Sequence, residues 1–419
     1  MALKNFDAMI DKYAELIVKV GLNVQAGQRL SINGKSFTRG VPLNGAPLVR
    51  AVAKYAYQAG ATLVDVLWDD TETAIQRFKH APRDSFDEYP TWRTKGLAEN
   101  AKNGGALMTI YAEDPGTFDE FDQDLVAAAQ RAMVQNMDPL SQLLSANHFN
   151  WCLVAMPTVG WAKKVYPELS DEDALEALFE TVFQLCRLDQ DDPVAAWEDH
   201  IATLHKRSQY LSEKQYSALH LTAPGTDVTL GMPAGHIWES ARIISQPGVP
   251  YVANMPTEEV FSMGHRSIAD GTVTATMPLS YGGTMIEDFG VTFKDGKVVD
   301  YKAGKNEKTL GDFIERDDGS SRVGEIALVP HSSPIAQSGK LFFNTLFDEN
   351  AACHIALGRA YRTCMQGGET MSEEEFIAAG GNVSLEHVDF MIGSDKMDID
   401  GITADGEAEP VMRKGEFTF

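Results

Sequence analysis

The sequence predicts an α/β protein in two parts. An N-terminal α/β domain with a parallel sheet is expected over 1–210, and a C-terminal mixed α+β domain over 211–419. Three observations predict this. Helical and strand-like segments alternate through the first half, the pattern of a parallel layer wrapped by helices. After about residue 214 the texture changes to short alternating runs broken by Pro-Gly and Gly-rich turns. The chain is 419 residues long and 44% hydrophobic, enough for two or three packed cores.

The elements follow in order. Phe6, Ile10, Tyr13 and Ile17 recur at helical spacing, so an amphipathic helix opens the chain. Ala46 to Gln58 reads as a helix and Thr62 to Leu67 as a strand. A helix over Thr94 to Lys102 and a strand over Ala106 to Tyr111 come next. Phe121 to Ala132 then reads as helix, and Trp151 to Met156 as a short buried strand. Ser170, three residues before Asp173, is an N-cap signal for a helix running through Leu175, Leu178, Val182 and Leu185. Pro193 opens a further helix to about Leu211, Pro being suited to a first turn. Strands are then expected over Ala218 to Thr222, Asp227 to Leu230, Thr272 to Leu279, Val291 to Phe293, Lys297 to Tyr301 and Glu325 to Val329. Asp295-Gly296 is a hairpin turn between two of these.

Composition excludes several function classes. The formal net charge is −24, from 36 Lys and Arg against 60 Asp and Glu. Such a surface repels polyphosphates and anionic lipid, so neither nucleic acid nor membrane is an expected partner. There is no apolar run of membrane-spanning length. The acidic N-terminus, with Asp7, Asp11 and Glu15, interrupts any leader-like apolar core. The four cysteines, Cys152, Cys186, Cys353 and Cys364, make neither a C-x-x-C pair nor a disulfide framework. A cytoplasmic protein is expected.

Some motifs are missing. No His-Glu-x-x-His and no Gly-x-Ser-x-Gly occurs. Gly34-Lys35-Ser36 follows a strand-like run as in a P-loop, but Gly27 lies too far back for that pattern. Asp398-Ile399-Asp400-Gly401 with Glu407 approaches an EF-hand register, but Lys396 occupies the first ligand position. An Asp- and Gly-rich turn is the expectation there.

Four segments in the second half carry candidate chemistry: Asn254 to Phe261, Val323 to Pro330, Asn344 to Tyr361, and Glu386 to Ser394. On a strand, His387 and Asp389 share one face while Val388 and Phe390 share the other. That gives one face suited to metal ligation and one suited to core, although a hydrogen-bonded structural His fits as well. Glu325 heads an apolar run, where a carboxylate needs a partner or a metal. Glu258 and Glu259 follow Pro-Thr, a pattern equally suited to a helix first turn with Thr257 as its cap. Glu349 behind Asp348 reads the same way. His354 lies among small apolar residues, where a satisfied core His is the commoner role. Tyr361 would share its face on one continuous helix, which Gly358 opposes.

Together, the stretches Pro-Thr-Glu-Glu-Val, Asn-Thr-Leu-Phe-Asp-Glu-Asn-Ala and His-Val-Asp-Phe-Met-Ile-Gly resemble those of one metallo-aminopeptidase family. It comprises aminopeptidase T and the enzymes called aminopeptidase S or PepS, peptidase family M29, and the resemblance spans the full length. It implies Glu259, Glu325, Glu349, His354, His387 and Asp389 as metal ligands and Tyr361 as a catalytic residue. It also implies a C-terminal catalytic domain, a homodimer, and peptides with a free N-terminus as substrates. Four carboxylates and two histidines exceed the needs of one zinc, so two divalent ions (Zn, Co, Mn or Mg) are expected. Glu325 is the candidate bridge or base, and the Tyr361 hydroxyl the candidate oxyanion donor. A dinuclear phosphoesterase or amidohydrolase, or a non-catalytic metal-binding protein, would use a similar ligand set.

Overall fold

The computed structural model describes residues 5–281 and 284–419. The segment Met1–Lys4, part of the N-terminus in which no leader was read, lies outside them. Two compact units emerge, one of residues 1–200 with 242–256 and one of 201–241 with 257–419. The expected cut near residue 210 did not separate the 242–256 excursion. The cut falls inside a single helix, Pro193–Lys214, whose continuous helical pattern leaves no linker to read.

The first unit holds a five-stranded sheet, parallel throughout. Its strand order is Asn254–Met255, Trp151–Ala155, Ala106–Tyr111, Arg29–Gly34, Leu63–Val66. The two central strands are almost wholly buried, as expected of strands covered on both faces. Leu30, Ile32, Met108, Ile110 and Val154 form their core. The expected strands and helices of this unit are all present, most with ends shifted by a few residues. The largest shift is in the helix expected over Phe121 to Ala132, which runs Gln123–Ser145 and carries Pro139 inside it.

The second unit contains an eight-stranded and a four-stranded antiparallel sheet. The Asp295-Gly296 hairpin joins Gly290–Lys294 to Lys297–Lys302 with both turn residues at positive φ, 51° and 79°. The strand expected over Thr272 to Leu279 is divided into Ala269–Thr274 and Leu279–Tyr281. The expected turn at Asp398 to Gly401 is instead part of a strand, Asp398–Ile402, inside the larger sheet. Its acids are satisfied on the sheet: Asp398 accepts from the Lys414 N–H, and Asp400 pairs with Arg413. The fold class expected from the sequence holds, a parallel α/β layer followed by a mixed α and antiparallel β part.

The four-stranded sheet positions the site. Its order is Val260–Ser262, Val323–Leu328, His354–Gly358, His387–Met391. Register places Glu325 opposite Ala356, and Ala356 opposite Asp389. In the neighbouring row Phe261 lies opposite Ala327, Ala327 opposite His354, and His354 opposite Met391. Because side chains alternate along a strand, these rows share one face. Ile326, Leu328, Ile355, Leu357 and Phe390 take the other face and are buried as core.

Candidate metal centre

Five of the six expected ligands converge on this face. Ala356, at the centre of the row from Glu325 to Asp389, has too short a side chain to fill the space between them. Gly358 lies opposite His387 and carries no side chain. The small residues leave room above the sheet for two imidazoles and three carboxylates to meet.

Ligand atoms gather in two groups that share Glu325: Glu259, Glu325 and His354 in one, Glu325, His387 and Asp389 in the other. In the first, His354 Nε2 is 3.2 Å from Glu259 Oε2 and 3.8 Å from Glu325 Oε1. In the second, His387 Nε2 is 3.5 Å from both Glu325 Oε2 and Asp389 Oδ1. Glu325 therefore turns one oxygen to each group.

The imidazoles are oriented from behind. His354 Nδ1 lies 3.1 Å from the Ala352 carbonyl and His387 Nδ1 lies 2.6 Å from the Arg359 carbonyl. A carbonyl oxygen only accepts, so each Nδ1 carries a proton and each Nε2 is left to face the carboxylates. This is how metal-binding histidines are commonly held, with the second ring nitrogen fixing tautomer and orientation.

The residues fit divalent cations. Glu259 Oε2 and Asp389 Oδ1 are buried with no hydrogen-bond partner among the described residues, a costly state for carboxylate oxygens. The separations of 3.2 to 3.8 Å match the ligand-to-ligand edge of about 3.3 Å expected for a tetrahedron with bonds near 2.0–2.1 Å. Imidazole nitrogen and carboxylate oxygen are the donor types of zinc and its neighbours.

The protonation states of the metal-free cluster show the same need for positive charge. Burial acts to lower the His387 pKa, but Asp389 and Glu325 outweigh it and push it up to about 9. His354 is raised well above the ordinary histidine value, where Glu259 and Glu325 overcome burial. Burial first, and then the charges of Asp389 and Glu259, raise the Glu325 carboxyl against the pull of the histidines. Asp389 is lowered, because His387 prevails over burial.

The other two expected residues lie beside these groups. Glu349 belongs to neither ligand group. It sits in a single 3-10 turn, Glu349–Ala351, after a short helix capped by Asn344, not by Asp348. Asp348 instead accepts from the Phe342 and Asn344 N–H groups. The Glu349 charge is felt at Tyr361, whose phenol is raised well above its ordinary value by desolvation first and then by Glu325, Asp389 and Glu349. The Tyr361 ring packs 4.9 Å from the His387 ring and 6.0 Å from Phe261, centroid to centroid. It follows a strand, not a helix, so the helical face it was to share with His354 does not exist. Nor do Glu258 and Glu259 open a helix; they precede the Val260–Ser262 strand, with the Glu258 N–H held by Asn350.

Phe261 was not singled out from the sequence. Only the register, which puts it on the ligand face, and its ring contact with Tyr361 reveal it.

Comparison with known proteins now bears on this geometry. The family model described as thermophilic metalloprotease (M29) matches residues 6–417. The chain belongs to the M29 family. Relatives in the family include aminopeptidase 2 of Geobacillus stearothermophilus, 44% identical with 100% of this chain and 99% of that protein covered. Aminopeptidase AmpS of Bacillus subtilis is 43% identical with both chains covered in full. The solved structure of wild-type AmpT from Thermus thermophilus superimposes with a TM-score of 0.91 at 38% identity, covering 99% of this chain and 100% of that one. The enzyme class expected from the sequence, a metallo-aminopeptidase, is borne out for this M29 member. Among the described residues, no helix is long and apolar enough to cross a membrane.

Proposed function

We propose that this M29 enzyme removes the N-terminal residue from peptides with a free α-amine, using two divalent ions. The carrying observation is Glu325, whose two oxygens face different histidines at 3.8 and 3.5 Å. On this reading Glu259 and His354 would hold one ion and His387 and Asp389 the other, with Glu325 common to both groups. When bound, divalent ions supply Lewis acidity toward the scissile carbonyl and make water acidic enough to attack near neutral pH.

The chain's own groups do the rest. The Ala352 and Arg359 carbonyls hold the imidazoles in one tautomer. The Tyr361 hydroxyl donates to the oxygen that gains charge as the carbonyl becomes tetrahedral. A phenol, with its ordinary pKa of about 10, keeps that proton at neutral pH. Glu349, in neither ligand group but electrostatically close to Tyr361, takes the proton of the attacking water or receives the substrate's α-ammonium. A cytoplasmic homodimer completes the proposal: the likeness to the M29 enzymes supports the dimer, and the cysteine-poor composition supports a reducing compartment.

The test uses leucyl-p-nitroanilide and its N-acetyl derivative, each with and without chelator. Rapid cleavage of the free amine only, abolished by chelator and restored by divalent ions, is the expected result. Equal rates for both substrates, or full activity in a preparation free of metal by elemental analysis, overturns the proposal.

A further inference from the structure

The two imidazoles of the metal centre are held by carbonyls of different origin. His354 Nδ1 meets the Ala352 carbonyl, two residues back on its own segment. His387 Nδ1 meets the Arg359 carbonyl, 28 residues away in sequence. The backbone next to His387 therefore does not aim that carbonyl, which must be held from elsewhere.

Arg359 lies just beyond the strand His354–Gly358, where the chain leaves the sheet through Gly358 at φ 112°. Both peptide units that flank it are fixed at both ends. In the first, the Gly358 carbonyl accepts from Asn382 Nδ2 at 2.6 Å, and the Arg359 N–H donates to the Glu386 carbonyl at 2.7 Å. In the second, the Ala360 N–H donates to the Asn382 carbonyl at 2.9 Å, and the Arg359 carbonyl faces His387. A trans peptide directs its C=O and its N–H to opposite sides. Anchoring the Ala360 N–H on Asn382 thus turns the Arg359 carbonyl toward His387. Asn382 acts on both units, through its side chain on one and its main chain on the other.

The contribution of the Asn382 side chain lies in its donors. It is fully buried. The same nitrogen also donates to the Gly319 carbonyl at 2.8 Å, so both N–H groups of the amide are engaged. The amide oxygen is buried with no hydrogen-bond partner among the described residues, which is costly. Leucine, of similar size, would avoid that cost but could hold neither carbonyl. Aspartate would set a carboxylate against two carbonyl oxygens.

We propose that Asn382 is a positioning residue of the metal centre. By clamping the peptide units on either side of Arg359 it fixes the carbonyl that orients His387. It thereby sets the affinity of the His387 group, and not of the His354 group, for a divalent ion. The proposal rests on the two-ion reading of the site, and the experiment separates the two.

The experiment is calorimetric titration of full-length protein with cobalt(II) chloride. Asn382→Ala is introduced into Glu259→Ala, which keeps the His387 group, and into His387→Ala, which keeps Glu259, Glu325 and His354. In the first background cobalt is expected to bind about tenfold or more weakly, the scale of losing an outer-shell partner. In the second its affinity is expected to stay the same. A merely structural role would weaken both alike. Should Asn382→Ala fail to fold, Asn382→Ser keeps one donor and is expected to give a smaller loss, again confined to the first background. Unchanged cobalt affinity in the first background, or equal weakening in both, overturns the proposal. If a background binds no cobalt, the two-ion reading has failed. The parent with and without Asn382→Ala then decides: affinity lower by about tenfold or more supports the positioning role, and unchanged affinity overturns it.

Discussion

His387 Nδ1 sits 2.6 Å from the carbonyl oxygen of Arg359, and this contact points the other ring nitrogen at Glu325 and Asp389. Its consequence is measurable as protons. In the metal-free chain the surrounding carboxylates push His387 up to about 9 and raise His354 above the ordinary histidine value. Metal ligation needs the neutral ring, so loading should release protons at pH 7, that of His387 among them. Calorimetry in buffers of different ionisation enthalpy measures that number. The His387 share should vanish as pH rises through 9. A raised folded-state pKa also means that His387 stabilises the metal-free fold fully below about pH 6.5 and loses that contribution between there and 9. Metal loading without proton release at pH 7 would show that the rings are already neutral.

Tyr361→Phe separates chemistry from ligation. It removes one hydroxyl, keeps the ring against His387 and Phe261, and leaves both ligand groups intact. If the hydroxyl meets the oxyanion, kcat should fall by about 10²–10³-fold with KM little changed. Metal content should stay at the parent value. Parent kcat in the variant would remove the residue from the mechanism.

Gly358→Ala tests whether the sheet surface must stay bare beside His387. Gly358 has φ +112°, and a Cβ there would lie 2.3 Å from the Glu386 carbonyl oxygen and 3.3 Å from His387 Cα. The backbone strain alone costs roughly 1–3 kcal/mol. Melting temperature should fall, and the ion beside His387 should bind more weakly than the ion beside His354. Thermal denaturation and stepwise metal titration measure the two effects; unchanged values for both would mean that the strand relaxes without moving His387.

Much of this was legible in the sequence, for physical reasons that differ by residue. The alternation His387-Val388-Asp389-Phe390 needs only the two-residue period of a strand, and the structure has that strand. Glu325 was legible as a carboxylate in an apolar run. His354 was not legible by its own pattern: a short run of small apolar residues carries no period that separates helix from strand, and pairing with two neighbouring strands decided it. Glu259 followed Pro-Thr as a helix start would, yet pairing of Val260–Ser262 with Val323–Leu328 made the segment a strand. At Asp398 to Gly401 the local turn chemistry lost to pairing on both sides. The 242–256 excursion rests on the parallel pairing of Asn254–Met255 with Trp151–Ala155, a contact across a hundred residues that no local window contains. The resemblance to the M29 enzymes gave candidate site residues where periodicity could not.

The central claim is that Glu325 joins two ions, and metal stoichiometry tests it most directly. Elemental analysis of the cobalt-loaded parent chain should give two ions per chain, as two ligand groups sharing one carboxylate require. Glu259→Ala and His387→Ala should each retain one, held by the group left intact, and Glu325→Ala should bind both weakly. A parent protein saturating at one ion, with Glu259→Ala and His387→Ala each abolishing that same ion, would contradict the account.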